Sequence, residues 1–232
     1  KCEVRFARGE ATNFENLAAQ VGLHPGMQEK TFPKEILNWI DYQQRPALAG
    51  QMFEKINPAD GRALWQVARS GAADVSEAIA SARRAQPEWA DLPAVRRGEV
   101  LHDVAMSLRQ HREEIAAVVA AETGKSFKSA VAETDGAVAL GMFMAGEGQR
   151  LYGRTTTSGA PNKQAMTIRQ PIGIAGLIVA ANTPIANVAW KVFPALICGN
   201  AAVLKAAEDA PATAWIFGKI AKDAELPPGV LN

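Results

Sequence analysis

Apolar and polar positions along the 232-residue chain fall into three textures. Residues 1–34 mix charges with Gly9, Gly22, Pro25 and Gly26 and keep no period, so they predict no element. From 35 to 56 short apolar pieces alternate with polar ones, which predicts irregular strands near a sheet edge. Asn57-Pro58-Ala59-Asp60-Gly61 then reads as a turn, Pro58 presetting φ and Asp60-Gly61 supplying a positive-φ position. Three helical patterns follow. The first covers about 73–89, with Val75, Ile79, Ala82 and Ala85/Gln86 on one face. The second starts after Pro93 and runs to about 123, carrying Val100, Leu101, Val104, Leu108, Ile115, Val118 and Val119, with Gly124 as its stop. The third covers about 126–151 with Val131, Val138, Met142 and Phe143 inward, and its glycines at 136, 141, 146 and 148 weaken a straight helix.

A Thr-rich polar stretch comes next. Residues 154–157 and 165–168 predict a β-hairpin around Ser158-Gly159-Ala160-Pro161-Asn162. It has little apolar surface of its own and must lean on something else, such as another subunit. From Gly173 the texture changes to a short apolar strand over 173–180, a helix over 184–199, a strand over 201–204 and a helix over 211–224 that begins with Pro211. That β-α-β-α order implies two parallel strands, the start of a doubly wound Rossmann-like α/β sheet, with a third strand beginning near 226–232. Two strands cannot cover their own helices, so the pattern predicts one part of a larger sheet.

Composition narrows the function classes. A formal charge of +1, with no Lys/Arg block, predicts no nucleic-acid partner. No apolar run reaches about 18 residues, so no membrane span is expected. Cys2 and Cys198 are too few for a disulfide framework, and with His24, His102 and His111 they give no metal spacing. That usage suits a reducing cytoplasm. Cys198, between Ile197 and Gly199, reads as inert packing, and the histidines as surface residues.

In open parallel sheets ligands bind at the carboxyl ends of the strands. That rule selects Ala180-Ala181-Asn182-Thr183-Pro184 and Lys205-Ala206-Ala207-Glu208, which should line one crevice because neighbouring strands lie roughly 5 Å apart. Asn182 offers an amide donor beside a helix N-terminus, suited to a developing oxyanion; it reads more readily as a cap or turn residue. Lys205 and Glu208 have the donor and acceptor for a ribose; they also read as a snorkelling lysine beside a helix-preceding carboxylate. The glycine fingerprint for a dinucleotide is missing, since Gly173 and Gly176 lie inside the strand and not in the turn after it.

The segment 171–232, together with INPADG at 56–61, AQPEW at 85–89, LPAVRRGEVL at 92–101 and ETGK at 122–125, resembles the aldehyde dehydrogenase superfamily from about residue 35 onward. The resemblance implies that Asn182 helps form the oxyanion hole and that Lys205 and Glu208 grip the adenosine ribose, the glutamate favouring NAD over NADP. It further implies that Ile178, Val179 and Ala180 line the cofactor cleft, that Lys191 stands at its end, and that Trp190 borders the substrate tunnel. Residues 153–170 match an oligomerisation hairpin, implying a homodimer or homotetramer. Ala181 stands where the family often has an aromatic residue and Ala206 where it often has proline; neither change removes a hydrogen-bonding group. The resemblance places 35–232 in the N-terminal portion of an NAD(P)-binding domain, with the nucleophilic cysteine and general-base glutamate beyond Asn232. The expected activity of an intact protein is oxidation of an aldehyde substrate to a carboxylic acid, and the chain alone is expected to be inactive. A CoA-acylating relative and a non-catalytic nucleotide-binding or oligomerisation module are the other expectations.

Overall fold

The computed structural model describes residues 33–232; the unperiodic segment 1–32, with Cys2 and His24, lies outside them. Residues 34–232 form one unit. It opens with β1 (Glu35–Ile36), β2 (Asn38–Ile40), β3 (Gln43–Arg45), β4 (Met52–Ile56) and β5 (Ala63–Ala68). β4 and β5 pair antiparallel and β1 joins β5 in parallel, while β2 and β3 form a separate hairpin. The predicted turn closes β4 onto β5: Gly61 takes φ 74°, and the Asn57 N–H donates to the Arg62 carbonyl at 2.8 Å. β5 is an addition to the sequence reading, an alternating strand with Trp65 and Val67 inward and Gln66 outward.

The helices α1 (Ala72–Asp91), α2 (Ala94–Gln110), α3 (Arg112–Thr123) and α4 (Phe127–Gly146) follow, the last continuing into a 3-10 turn, Glu147–Gln149. Three expectations are corrected here. In α1 the buried face is Asp74, Ala78, Ser81, Ala82 and Trp89, and Val75 is exposed. The Asp74 carboxylate is held inward by the Gly71 and Leu48 N–H groups, both at 2.8 Å, which turns its neighbour outward. The single helix expected over 94–123 is two, broken at His111. Arg109 to Glu114 holds no apolar residue, and the Ser107 carbonyl lies 2.9 Å from His111 Nδ1 as well as 3.1 Å from its backbone nitrogen. In α4, Met142 and Phe143 are exposed, while Ala130, Thr134, Ala137, Val138, Gly141 and Ala145 face inward. Small side chains let the helix approach closely: a Cβ on Gly141 would stand 2.7 Å from Phe193 Cζ.

The expected hairpin is β6 (Thr155–Thr157) with β7 (Gln164–Met166), every residue of both strands exposed. Then come β8 (Ile174–Ile178), α5 (Pro184–Ile197), β9 (Ala201–Lys205) and α6 (Pro211–Asp223). β8 and β9 are parallel, in register from Ile174↔Ala201 to Ile178↔Lys205. The third strand starts where the pattern put it. Leu231 bridges Ala202 in parallel, and the Ala202 N–H donates to the Val230 carbonyl at 2.8 Å. The protein is thus mixed α/β. α4 packs on α2 and α5, and α5 on α6, around Phe193 and Phe217, whose rings meet edge-on at 5.8 Å. Among the described residues no helix is long and apolar enough to cross a membrane, and no group of His, Cys, Asp and Glu could hold a metal ion.

Candidate functional site

β8 and β9 end side by side. Ile178 pairs with Lys205, and the Val179 N–H donates to the Lys205 carbonyl at 3.3 Å. The chain leaving β8 passes through Ala180, Ala181 and Asn182 before Thr183, which is the N-cap of α5 with Pro184 in its first turn. Asn182 is therefore not itself the cap, and its side chain is exposed. The Lys205 ammonium holds Glu208 Oε1 at 2.6 Å, both side chains remaining largely open to solvent. The hydrogen bond from Lys205 holds the Glu208 carboxyl below its usual range, with smaller help from its own backbone N–H and the charges of Lys205 and Arg69.

Strand alternation sorts the other expected residues. Ile178 is 70% exposed and lines an apolar groove of about 620 Å³ together with Lys205, Glu208, Val203 and residues of the N-terminal strands, including Trp39 and Phe53. Val179 points the other way and is buried, so only its backbone faces this strand end. Asn182 and Ala180 stand at the same carboxyl edge but do not line that groove, and neither does Trp190, which is exposed on α5 beside an exposed Lys191. An apolar floor beside an exposed ammonium–carboxylate pair has the chemistry to accept a flat ring carrying hydroxyl groups.

The N-terminus of α5 differs from expectation. Its N–H groups are not free for a ligand anion: Glu133 Oε1, from α4, accepts from Ile185 at 3.0 Å and Ala186 at 3.4 Å. Glu133 Oε2 pairs with Lys125 at 2.5 Å, and the same ammonium donates to the Asn182 backbone carbonyl at 3.0 Å. Lys125 and Glu133 thereby fasten the turn that carries Asn182. α6 is treated alike. Buried Glu122 accepts from Ala212 N–H at 2.7 Å, Thr213 N–H at 2.9 Å and Thr213 Oγ1 at 2.7 Å. Neither helix has a local side-chain capping bond, so the acceptor comes from elsewhere in the fold. Cys198 is also corrected: it is exposed at the C-cap of α5, beyond the apolar face.

The sequence profile of the aldehyde dehydrogenase family matches residues 45–232. The chain belongs to that family. It is 38% identical over 198 residues to aldehyde dehydrogenase family 2 member B4, mitochondrial, of Arabidopsis thaliana, covering 84% of this chain and 36% of that protein. The crystal structure of an E. coli NADP dependent enzyme superposes with a TM-score of 0.83 at 32% identity, over 85% of this chain and 41% of the other. Betaine aldehyde dehydrogenase from Staphylococcus aureus, in complex with NAD+ and carrying a BME-modified cysteine, gives 0.81 at 26% identity, over 85% and 40%. The chain thus spans about two fifths of the length of the relatives it matches.

Proposed function

We infer that the intact protein oxidises an aldehyde to a carboxylic acid with NAD(P), NAD by preference, through a thioester on a cysteine thiol. The observation that supports this reading most is the pairing of Ile178 with Lys205, which brings Asn182 and the Lys205–Glu208 pair to the carboxyl ends of neighbouring parallel strands. Lys205 donates to, and Glu208 accepts from, the adenosine ribose hydroxyls, and Ile178 supplies apolar floor. The glutamate's charge opposes a 2′-phosphate, which favours NAD. Bound nicotinamide cofactor supplies the hydride acceptor. The Asn182 amide donates to the substrate oxygen as the thiol attacks and that oxygen gains charge. Cys198 is not the thiol: it lies at the far end of the 14-residue α5, roughly 20 Å from Asn182 along the axis. The nucleophile is therefore assigned to the complete enzyme and not to residues 33–232. Trp190 and Lys191 border the substrate and cofactor ends of the cleft in this reading, and the exposed β6–β7 hairpin joins subunits of a homodimer or homotetramer.

The test is Asn182→Ala in the intact enzyme, assayed for NAD reduction with a panel of aldehydes and for NAD binding by calorimetry. Turnover should fall about a hundredfold with the cofactor dissociation constant unchanged. An equal loss in both would contradict the oxyanion role.

A further inference from the structure

An asparagine amide has two ends. Its NH₂ donates to a developing negative charge, whereas its Oδ1 would repel it. On an exposed turn the side chain has no intrinsic preference between them, because the terminal torsion is broad and roughly two-fold. Asn187, one turn into α5, removes the ambiguity. Its Nδ2 lies 3.2 Å from the Ala180 carbonyl oxygen, 3.1 Å from Asn182 Oδ1 and 3.3 Å from Thr183 Oγ1. The Ala180 carbonyl decides the polarity. A backbone carbonyl only accepts, so the end of the Asn187 amide facing it must be the NH₂. The atom of Asn182 facing that same nitrogen must then be the acceptor, Oδ1. Its NH₂ is left pointing away from Asn187, and it makes no hydrogen bond among the described residues.

We propose that Asn187 is a positioning residue that sets the polarity of the Asn182 amide, so that its NH₂ and not its oxygen faces the reacting carbonyl. This rests on reading Asn182 as the oxyanion donor. The backbone around Asn182 is fastened separately by Lys125, through the Asn182 carbonyl, so the two duties are divided: Lys125 and Glu133 hold the turn and Asn187 orients the side chain.

Two substitutions in the intact enzyme separate orientation from mere support. In Asn187→Ala the Asn182 amide samples both orientations, and turnover should fall only about twofold. In Asn187→Asp a near-isosteric carboxylate accepts only; it draws the Asn182 NH₂ toward itself and turns Oδ1 to the substrate. Turnover should then fall about a hundredfold, close to the loss in Asn182→Ala, with the NAD dissociation constant unchanged. The added charge of the aspartate and its repulsion of the Ala180 carbonyl oxygen would act even without Asn182, whereas the orienting effect needs it. Asn187→Asp should therefore cost far less in the Asn182→Ala background than in the parent. An equal loss in the two backgrounds, an Asn187→Asp enzyme within threefold of the parent, or a parallel rise in the NAD dissociation constant would each overturn the proposal. Unchanged turnover in Asn182→Ala would instead remove the oxyanion reading on which it stands.

Discussion

Two exposed side chains three residues apart, Lys205 and Glu208, carry the cofactor reading, and their ion pair adds little to stability. Side chains this open to water gain modest Coulomb energy and lose rotamer freedom when they pair. Lys205→Ala should accordingly leave the urea midpoint where it is. Its effect belongs to the ligand: a charge-assisted hydrogen bond contributes about 1.5–3 kcal/mol, so the NAD dissociation constant should rise roughly ten- to a hundredfold by calorimetry. An unchanged constant would refute the ribose assignment. Their place just after an apolar strand was legible, because open parallel sheets bind ligands at that end. A ribose-binding role was not, since a strand-end lysine beside a helix-preceding carboxylate reads as well as a solvated pair. The position of Asn182 at the neighbouring strand end was legible for the same reason, its role only through the family resemblance. Asn187 was not, since an asparagine in the first turns of a helix has no pattern that separates orienting a neighbour from ordinary solvent contact.

At the scale of elements, the parallel pair and its two helices were legible down to the start of the third strand, because short apolar runs bounded by glycine and proline have few alternative readings. What escaped is held by long-range partners. Glu133 reaches Ile185 across 52 positions and Glu122 reaches Ala212 across 90, separations that leave no local trace. The break at His111 escaped for another reason: the apolar spacing on either side of Arg109 to Glu114 remains compatible with one continuous helix. Glu122 also has a consequence in solution. Burial raises its carboxyl from an ordinary 4.5 to about 7, outweighing the hydrogen bonds from Thr213 and Ala212 and the charge of Lys55. Between those two values the folded protein keeps a proton that the unfolded chain has released. Stability therefore falls as pH rises from about 4.5 to about 7, by roughly 3 kcal/mol, and this group adds no slope outside that window. Glu122→Gln should remove the slope and lower stability at low pH by about 1–3 kcal/mol, because an amide NH₂ then faces N–H donors. Urea midpoints measured from pH 4 to 8 check this; parallel curves for the two proteins would contradict it.

For the whole molecule the informative fact is where apolar surface remains uncovered. Tyr152, Met166, Ile168 and Ile172 are 71%, 68%, 73% and 84% exposed, all on or beside a hairpin of two three-residue strands. A lone hairpin of that length with neither face buried is marginal in water, so its order requires a covering surface. Scattered apolar residues need no explanation, but four of them concentrated around one protruding element do. A second copy of the chain is the occupant this reading commits to, since the same hairpin on both subunits can meet around a two-fold axis. Replacing Met166 and Ile168 together by aspartate places two charges in that contact and disturbs nothing buried within the subunit. Sedimentation velocity on the intact protein should then show a smaller species than the parent, with an unchanged far-ultraviolet circular dichroism spectrum. If the double variant sediments as the parent does, the hairpin is not what joins the subunits, and its exposed apolar residues await a different partner.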